Sequence, residues 1–286
     1  MNSLPLALVL ALAGLVLAPL AGGLAAGLDR VLSARLQSRL GPPLLQPFYD
    51  AGKLWSKATL PASHWQGLFA RWTLSAALAS AALFAAGADV LMCFFVQAAG
   101  ASFLALGAFC GSSPYSKLGA QRELFQLLAY EPVLLVALIC LAKAAGGFEA
   151  SAILAGPEPL LFKLPLVAPG LIFVVLVKLR KSPFDIAASH HMHQEVVRGV
   201  YTDFAGRDLA LLEIAHWADV SVVLWICSLL WATGPLQMLA AALATLVLAL
   251  IIDNISARLT WRTMLKKVAP ACLALAAANL VWLYLE

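Results

Sequence analysis

The chain has 286 residues, of which 62% are hydrophobic and 12% are charged, and its mean hydropathy is +0.89. Soluble domains contain about 45 to 50% apolar and about 25% charged residues, so this composition excludes a soluble globular protein and indicates a polytopic membrane protein, one transmembrane domain over residues 1–286. The net charge of +4 comes without a Lys and Arg run that could follow phosphates, which excludes nucleic acid as a partner.

Apolar segments of this chain are long enough to cross a bilayer, which takes about 20 residues per helix. Their lengths, and the breakers between them, predict an all-α protein with about eight transmembrane helices and a cytoplasmic amphipathic helix. The first segment is too long for a cleaved signal and lacks a basic start, so we expect it to be retained. The predicted transmembrane helices are residues 4–28, 68–87, 90–110, 120–144, 162–180, 209–231, 236–252 and 268–285.

Basic residues are distributed very unevenly between the alternate connections of these helices. Seventeen of the 19 Lys and Arg residues fall on one side, and the other side receives Lys143 and Lys163. Because cytoplasmic connections are enriched in Lys and Arg, the basic side is predicted to be cytoplasmic, with both termini facing outward. The long connections are expected to dock soluble redox subunits, because hairpins need far fewer residues. The predicted cytoplasmic connections are residues 29–67, 111–121, 181–208 and 253–267.

The first of these connections contains the segment GPPLLQPFYDAGKLWSK, which predicts the amphipathic helix. Prolines interrupt helix up to Pro47, and a helix that restarts there carries Asp50, Lys53 and Lys57 on one face, at i, i+3 and i+7. The alternative is an ordinary surface helix with one ion pair and lysines that extend toward water.

The fourth predicted helix places an acid deep in the membrane. Glu131 lies about 13 Å of helical rise below the charged start of this helix, where an ionised carboxylate costs about 2.5 to 3.5 kcal/mol unless it is paired or hydrated. Glu123, Gln126 and Tyr130 share one face at i, i+3 and i+7, which predicts a polar line from the cytoplasmic end. The alternative is a structural polar seam between helices.

The sixth predicted helix repeats this arrangement. Glu213, His216 and Asp219 follow one another at intervals of three residues, which lets neighbours exchange a proton through a side chain or water. Histidine is the side chain whose ordinary pKa suits such an exchange near neutral pH. Asp208, which opens this helix, has the alternative role of an N-cap.

Neither the cysteines nor the clustered histidines have the spacing of a metal site. The five cysteines are scattered singly, without a C-x-x-C pair. His190, His191 and His193 lie between the fifth and sixth helices, but adjacent side chains diverge by about 100° on a helix and no thiolate is near. A proton relay, a contact with a partner and a plain surface loop all remain open for these histidines.

Taken together, these motifs resemble a known family. The segment GPPLLQPFYDAGKLWSK is similar to the G-P-x-x-x-Q-P-x-x-D-x-x-K-L segment of the family that contains the NuoH-type membrane subunit of complex I and its counterparts in membrane-bound [NiFe] hydrogenases. Further motifs follow in the family's order, so the resemblance covers most of the chain. They are Tyr130-Glu131, Pro183-Phe184-Asp185, Glu195-Val196-Val197 and Phe204-Ala205-Gly206.

Departures from the complex I pattern indicate a branch of that family. The interval between Asp185 and Glu195 contains AASHHMHQ in place of several acids, and His216 replaces the acid of the sixth helix, with Glu213 one turn earlier. The stretches SHHMHQE and EIAHWAD resemble the energy-converting, Ech-type hydrogenase subunit. The resemblance implies an anchor in the cytoplasmic membrane of a prokaryote that links ferredoxin and H2 chemistry to H+ or Na+ movement.

The same resemblance implies the partners. They are hydrogenase large and small subunits, a ferredoxin-like iron–sulfur subunit and an antiporter-like membrane subunit, within the lipid bilayer. A [NiFe] centre and [4Fe-4S] clusters are expected in those partners, and no catalytic residue, cofactor or metal is expected in this chain. The alternatives are a NuoH-like subunit of a quinone-reducing complex and a self-sufficient secondary ion transporter.

Two sets of functional residues are expected. Arg122 and Glu123 should lead to Glu131, while Asp185, Glu195 and Asp208 should lead to Glu213, and the two lines should meet in one hydrated cavity. The predicted proton-relay residues are Glu123, Tyr130, Glu131, Asp185, Glu195, Glu213, His216 and Asp219. The predicted docking residues are Arg35, Arg39, Gln46, Pro47, Asp50, Lys53, Arg180, Phe184, His190, His191, His193 and Arg198.

Overall fold

A computed structural model describes residues 3–60, 63–188 and 198–285 of the chain. In these ranges seven helices are long and apolar enough to cross a membrane, which confirms the prediction of an all-α polytopic membrane protein. The helices are α1 Ser3–Leu36, α2 Gln46–Ser56, α3 His64–Ala85, α4 Val90–Phe109, α5 Pro114–Ala145, α6 Ala150–Leu154, α7 Ala168–Lys178, α8 Gly206–Ser228, α9 Pro235–Ile255, α10 Trp261–Thr263 and α11 Ala269–Leu285.

Two of the spanning helices are longer than their apolar segments predict. Helix α1 continues for 34 residues, about 51 Å of rise, and therefore projects well beyond a hydrocarbon core of about 30 Å. Helix α5 begins at Pro114 because the Ser113 side chain accepts a hydrogen bond from the Tyr115 amide and proline suits a first helical position. The predicted connection 111–121 is therefore wrong in length, since most of it is the first part of α5.

The predicted fifth helix, residues 162–180, is also wrong in its first half. A 3-10 turn at Leu160–Phe162 precedes α7, which has 11 residues and starts only at Ala168. Pro165 lies between them, where its ring and missing N–H break a helix. A helix of 11 residues rises about 16 Å, which is about half of the hydrocarbon thickness.

The chain nevertheless passes from one end of the bundle to the other in this region. The Leu161 amide donates to the Leu230 carbonyl just after α8, at 2.8 Å. Past α7, the Lys181 ammonium bonds Asp29 at 2.6 Å and Asp253 at 3.1 Å, near the far ends of α1 and α9. The alternation of sides predicted from the sequence is therefore kept, although this crossing is only partly helical.

The non-helical part of this crossing is held by one side chain of α11. The Asn279 side chain accepts from the Leu166 amide and donates to the Lys163 carbonyl, both at 3.0 Å. Asn279 is fully buried, so water does not reach these groups from outside. Irregular backbone at membrane depth needs such internal partners, because hydrocarbon supplies none.

Replacing Asn279 by Leu should lower the free energy of unfolding by about 2 to 5 kcal/mol, because two buried backbone groups lose their partner. Thermal unfolding of the detergent-solubilised protein measures this loss. The matched control is Asn254→Leu near the end of α9, where the asparagine is only half-buried, and there we expect a loss below about 1 kcal/mol. Equal losses in the two variants would contradict the role assigned to Asn279.

Helix α8 lies at the centre of the bundle and packs against α1, α2, α3, α7 and α9. The approach of α1 is very close, because a Cβ placed on Gly22 would collide with the Trp217 carbonyl. Helix α5 packs against α4, α7 and α11. The polar faces of α5 and α8 are thereby brought to opposite sides of the short helix α7.

The amphipathic helix is confirmed as α2, which begins at Gln46 with Pro47 in its first turn. It packs against α1 and α8, and the Asp50 carboxylate accepts a hydrogen bond from Arg30 at 2.8 Å. We call this the basic end of the bundle, where α1, α7 and α9 end and α3, α5 and α8 begin. Its assignment to the cytoplasm stays a prediction.

Candidate functional site

A buried polar cavity of about 50 Å³ lies where α5, α7 and α8 meet α4. We call it the inner cavity. This volume accommodates a small group of waters. Four of the predicted proton-relay residues and two cations contribute to its wall, namely Glu123, Tyr130, Lys178, Arg180, His216 and Asp219.

One buried ion pair connects α7 with α8 in this cavity. The Lys178 ammonium lies 2.9 Å and 3.2 Å from the two carboxylate oxygens of Asp219, and it lies 5.0 Å from the centre of the Tyr130 ring. The Lys178 side chain is 7% exposed and that of Asp219 is 21% exposed. An ion so far from water needs a partner, because desolvation costs several kcal/mol per charge.

A second pair connects α5 with the residue that follows the end of α7. An Arg180 guanidinium nitrogen lies 3.5 Å from Glu123 Oε1, with side-chain exposures of 8% and 12%. The guanidinium also stacks on Tyr201, 4.4 Å from the ring centre, where a cation is attracted by the face of the ring. The inner cavity therefore contains two acids and two cations in pairs.

The end of α7 explains how both cations reach the same cavity. Arg180 has φ 54°, the left-handed conformation that usually falls to glycine after a helix. The Lys181 amide donates to the Leu176 carbonyl at 3.0 Å and the Arg180 amide to the Val177 carbonyl, which closes the helix end. A non-glycine residue in this conformation costs of order 1 kcal/mol, so the surrounding contacts must hold Arg180 in place.

A larger cavity of about 540 Å³ extends from the inner cavity toward the basic end, between α1, α8 and α9. We call it the outer cavity. Arg180 and His216 line both cavities, so they form the wall between them. Glu213 lines the outer cavity and also a pocket of about 280 Å³ beneath α2. A polar route thus leads from α2 through Glu213 and His216 to the inner cavity.

The stripe predicted on α5 is confirmed, since Glu123, Gln126 and Tyr130 all line the inner cavity. Glu131 does not share it, because the residue after Tyr130 is turned about 100° around the helix. It lies half-buried in a small cleft beside Tyr130 and Lys178. The expectation that Glu131 and Glu213 face one cavity is therefore wrong, and the two ion pairs lie between them.

Two acids of the predicted line to Glu213 lie elsewhere in the fold. Asp185 is buried and its carboxylate lies 3.1 Å from the Arg258 side chain. Asp208, in the first turn of α8, has its carboxylate against Gly67 of α3. The predicted route through these two acids is therefore wrong, because order along the chain does not show which neighbour a loop packs against. Glu195 lies outside the described residues.

The predicted docking residues divide by exposure. The buried ones cannot contact a partner at the surface: Arg180 is inside the inner cavity, Pro47 is buried in α2, and Phe184 packs edge-on against Phe173 with ring centres 5.0 Å apart. Their assignment to docking is wrong, because their polar and apolar surface is already used inside the bundle. His190, His191 and His193 lie outside the described residues. The exposed ones, all at the basic end, are Arg35, Arg39, Lys53 and Arg198.

Gln46 and Asp50 are half-buried and connect α2 to α1. Partial burial raises the pKa of Asp50, but hydrogen bonds from Arg30 and Gln46 more than offset this and hold that pKa below its ordinary value. A lowered carboxyl pKa means that the connection stabilises the fold at neutral pH and is lost as the pH falls through the lowered value.

No three His, Cys, Asp or Glu side chains come close enough to hold a metal ion within residues 3–60, 63–188 and 198–285. The histidine cluster lies outside these ranges, so the absence of a metal from this chain stays a prediction. The cysteines Cys93, Cys140, Cys227 and Cys272 are buried as free thiols.

Lys178, Gln97 and Tyr201 line the inner cavity but were not predicted as site residues. Lys178 counts as a cytoplasmic charge when charges are tallied, and its true position follows from the short α7. The apolar run before Lys178, and the isolated amide of Gln97 in an apolar helix, are signals in the sequence that could have drawn attention to both.

Comparison with known proteins gives consistent results. The profile of the NADHdh family, described as NADH dehydrogenase, matches residues 7–284. The chain is 30% identical over 227 residues to Hydrogenase-4 component C of Escherichia coli (strain K12), which covers 73% of this chain and 69% of that protein. It is 26% identical over 231 residues to the NuoH subunit of the NADH-quinone oxidoreductase of Pelagibacter ubique (strain HTCC1062), with the same two coverages of 73% and 69%.

Among solved structures, the chain is similar to one from the membrane-bound sulfane sulfur reductase (MBS), an archaeal respiratory membrane complex. The TM-score is 0.87, and the match covers 97% of this chain and 99% of that one. The sequence identity is 23%, so this likeness concerns the fold alone.

Proposed function

The chain belongs to the NADH dehydrogenase (NuoH-like) family, and on that premise we propose that it is the membrane-anchoring and ion-coupling subunit of a ferredoxin-linked [NiFe] hydrogenase complex. The name of the Escherichia coli relative supports the hydrogenase branch, as does the resemblance of SHHMHQE and EIAHWAD to the Ech-type subunit. The proposed partners are the large and small hydrogenase subunits, a ferredoxin-like iron–sulfur subunit and an antiporter-like membrane subunit. Electron chemistry belongs to them, at a [NiFe] centre and [4Fe-4S] clusters.

The observation that carries the coupling role is the inner cavity with its two ion pairs, Lys178 with Asp219 and Arg180 with Glu123. Charges so poorly screened interact strongly with one another. A proton that reaches Glu213 or His216 from the outer cavity changes the field at Arg180 and weakens its hold on Glu123. Protonation of one carboxylate then favours release of a proton from the next one, and charge moves through the bundle.

The docking surface proposed for the soluble arm is the basic end. Arg35, Arg39, Lys53 and Arg198 are exposed there, close to Glu213 and the outer cavity. A change of charge in an arm that sits on this end would act on the polar route over a short distance. This arrangement also requires the basic end to face the cytoplasm, where ferredoxin is available.

The alternative function is that of a NuoH-like subunit in a quinone-reducing complex. It is favoured by the size of the outer cavity, about 540 Å³, within the range of small-molecule sites. Its wall combines apolar residues such as Val220 and Leu246 with Arg30 and Lys181, as an amphiphilic ligand requires. A self-sufficient ion transporter is the third alternative.

Purification under mild detergent distinguishes these functions. The tagged chain should arrive with partners that contain nickel and iron, and the preparation should evolve H2 from reduced ferredoxin. The chain alone should contain nickel, iron and zinc at well below one atom per chain. Quinone reduction by a nickel-free preparation, or ion transport by the chain alone in proteoliposomes, would contradict the proposal.

A further inference from the structure

Three buried polar atoms point to a bound ligand in the inner cavity. Gln97 Oε1, Glu123 Oε2 and Arg180 Nη1 are shielded from solvent, and none has a hydrogen-bond partner among the residues that the structure describes. All three side chains line the inner cavity. Buried polar atoms in folded proteins are almost always hydrogen-bonded, because leaving one unpaired is costly.

Gln97 has a defined orientation. Its amide nitrogen donates to the backbone carbonyl of Asp219 at 3.2 Å, which identifies Oε1 as the atom left for another donor. The side chain belongs to α4 and is 3% exposed, so it reaches the cavity from outside the α5, α7 and α8 set. Gln97 thus contacts the acid-bearing segment of one ion pair and lines the cavity of the other.

We propose that the inner cavity binds a small cluster of waters held by Gln97 Oε1, Glu123 Oε2 and Arg180 Nη1, and that Gln97 is the positioning residue that connects the two ion pairs through it. The two acceptors and one donor match water, which donates two hydrogen bonds and accepts two. A buried water typically has two to four polar partners, and about 50 Å³ is sufficient for more than one water.

The charges of the cavity disfavour a metal cation as the ligand. Lys178 and Arg180 both line it, and a sodium ion would meet two cations at short range with little screening. A neutral ligand that both donates and accepts hydrogen bonds is compatible with all four charges. Water has these properties and fits the volume.

The role of this cluster rests on the proposed function. A water can donate a proton to the Asp219 carboxylate while it accepts one from a protonated Glu123, so that water is regenerated and one proton has moved between the pairs. Gln97 also lines the cleft that contains Glu131, together with Tyr130 and Lys178. The amide does not titrate, and its contribution is to hold the water where both acids can reach it.

A cryo-EM map of the intact complex at a resolution that shows water tests the site directly. Density should lie about 2.7 to 3.2 Å from all three atoms, should be lost in Gln97→Leu, and should remain in Gln97→Glu, which keeps an acceptor oxygen. If the leucine variant does not assemble, the wild-type and Gln97→Glu maps decide. A wild-type cavity that is collapsed, or in which these atoms bond protein groups directly, would overturn the site.

Ion translocation per H2 tests the positioning role. Gln97→Leu should reduce it roughly tenfold, the loss typical of one impaired proton-transfer step, while H2 evolution from an artificial donor stays within about twofold. Gln66→Leu is the matched control, since Gln66 is a buried glutamine of α3 that does not line the cavity. Equal coupling in wild type and Gln97→Leu would overturn the role. Absence of any ion gradient in the wild-type complex would contradict the proposed function and leave the map as the test of the site.

Discussion

Replacing Lys178 by Met should lower the free energy of unfolding by about 3 to 5 kcal/mol, the usual consequence of leaving a buried charge without its partner. Lys178 is the partner of Asp219 at 2.9 Å and 3.2 Å, and methionine matches its length without its charge. Thermal unfolding of the detergent-purified complex measures the effect. The control is Lys143→Met, where an exposed lysine lies over the Tyr284 ring and the loss should stay below about 1 kcal/mol.

The double variant Lys178→Met with Asp219→Leu separates stability from coupling. A buried ion pair replaced on both sides by apolar residues is often neutral for stability, so unfolding should return close to that of the wild type. Ion translocation should stay as low as in the single variant, because the titratable pair is gone. Full coupling in the double variant would show that this pair only supports packing.

Replacing Glu131 by Gln should reduce ferredoxin-coupled turnover or ion-gradient formation at least roughly tenfold, the loss expected when one general acid/base step is removed. Glutamine keeps the size and hydrogen bonding of the side chain. Glu131 lies in the cleft next to Tyr130 and Lys178, on the far side of the inner cavity from Glu213, which makes it the next acceptor along the proposed route. H2 chemistry with an artificial donor should survive.

Glu149→Gln is the matched control for this variant. Glu149 is exposed and precedes α6, where its backbone forms a bridge with Asp89 at the end opposite the basic end. Its replacement should leave coupling and H2 chemistry unchanged. Unchanged coupling in Glu131→Gln as well would reduce Glu131 to a structural polar group, and proton movement would then have to leave the inner cavity by another path.

The membrane character, the all-α class and the position of α2 could be predicted from the sequence alone. These properties depend on local features: the length of apolar segments, the prolines that stop a helix, and periodicity along one helix face. The stripe of Glu123, Gln126 and Tyr130 belongs to the same class, because residues at i, i+3 and i+7 share a face in any regular helix. The family resemblance likewise follows from motifs in chain order.

The sequence did not reveal which polar groups meet, because that depends on how separate segments pack. The predicted fifth helix is shortened by Pro165, and the irregular stretch before α7 survives only because Asn279 of α11 satisfies it. Asp185 and Asp208 bond or pack against other helices, so the route predicted through them fails. Neighbouring positions along a chain can face quite different partners in a bundle.

Arg180 shows most clearly what only the tertiary structure decided. As a basic residue after an apolar segment, it is indistinguishable in sequence from the exposed docking arginines. Its left-handed backbone, φ 54°, turns the side chain into the bundle, where Glu123 and Tyr201 hold it. A strained conformation of this kind persists only when surrounding contacts repay its cost. Those contacts come from helices far apart in sequence, so packing and not local sequence determined the site.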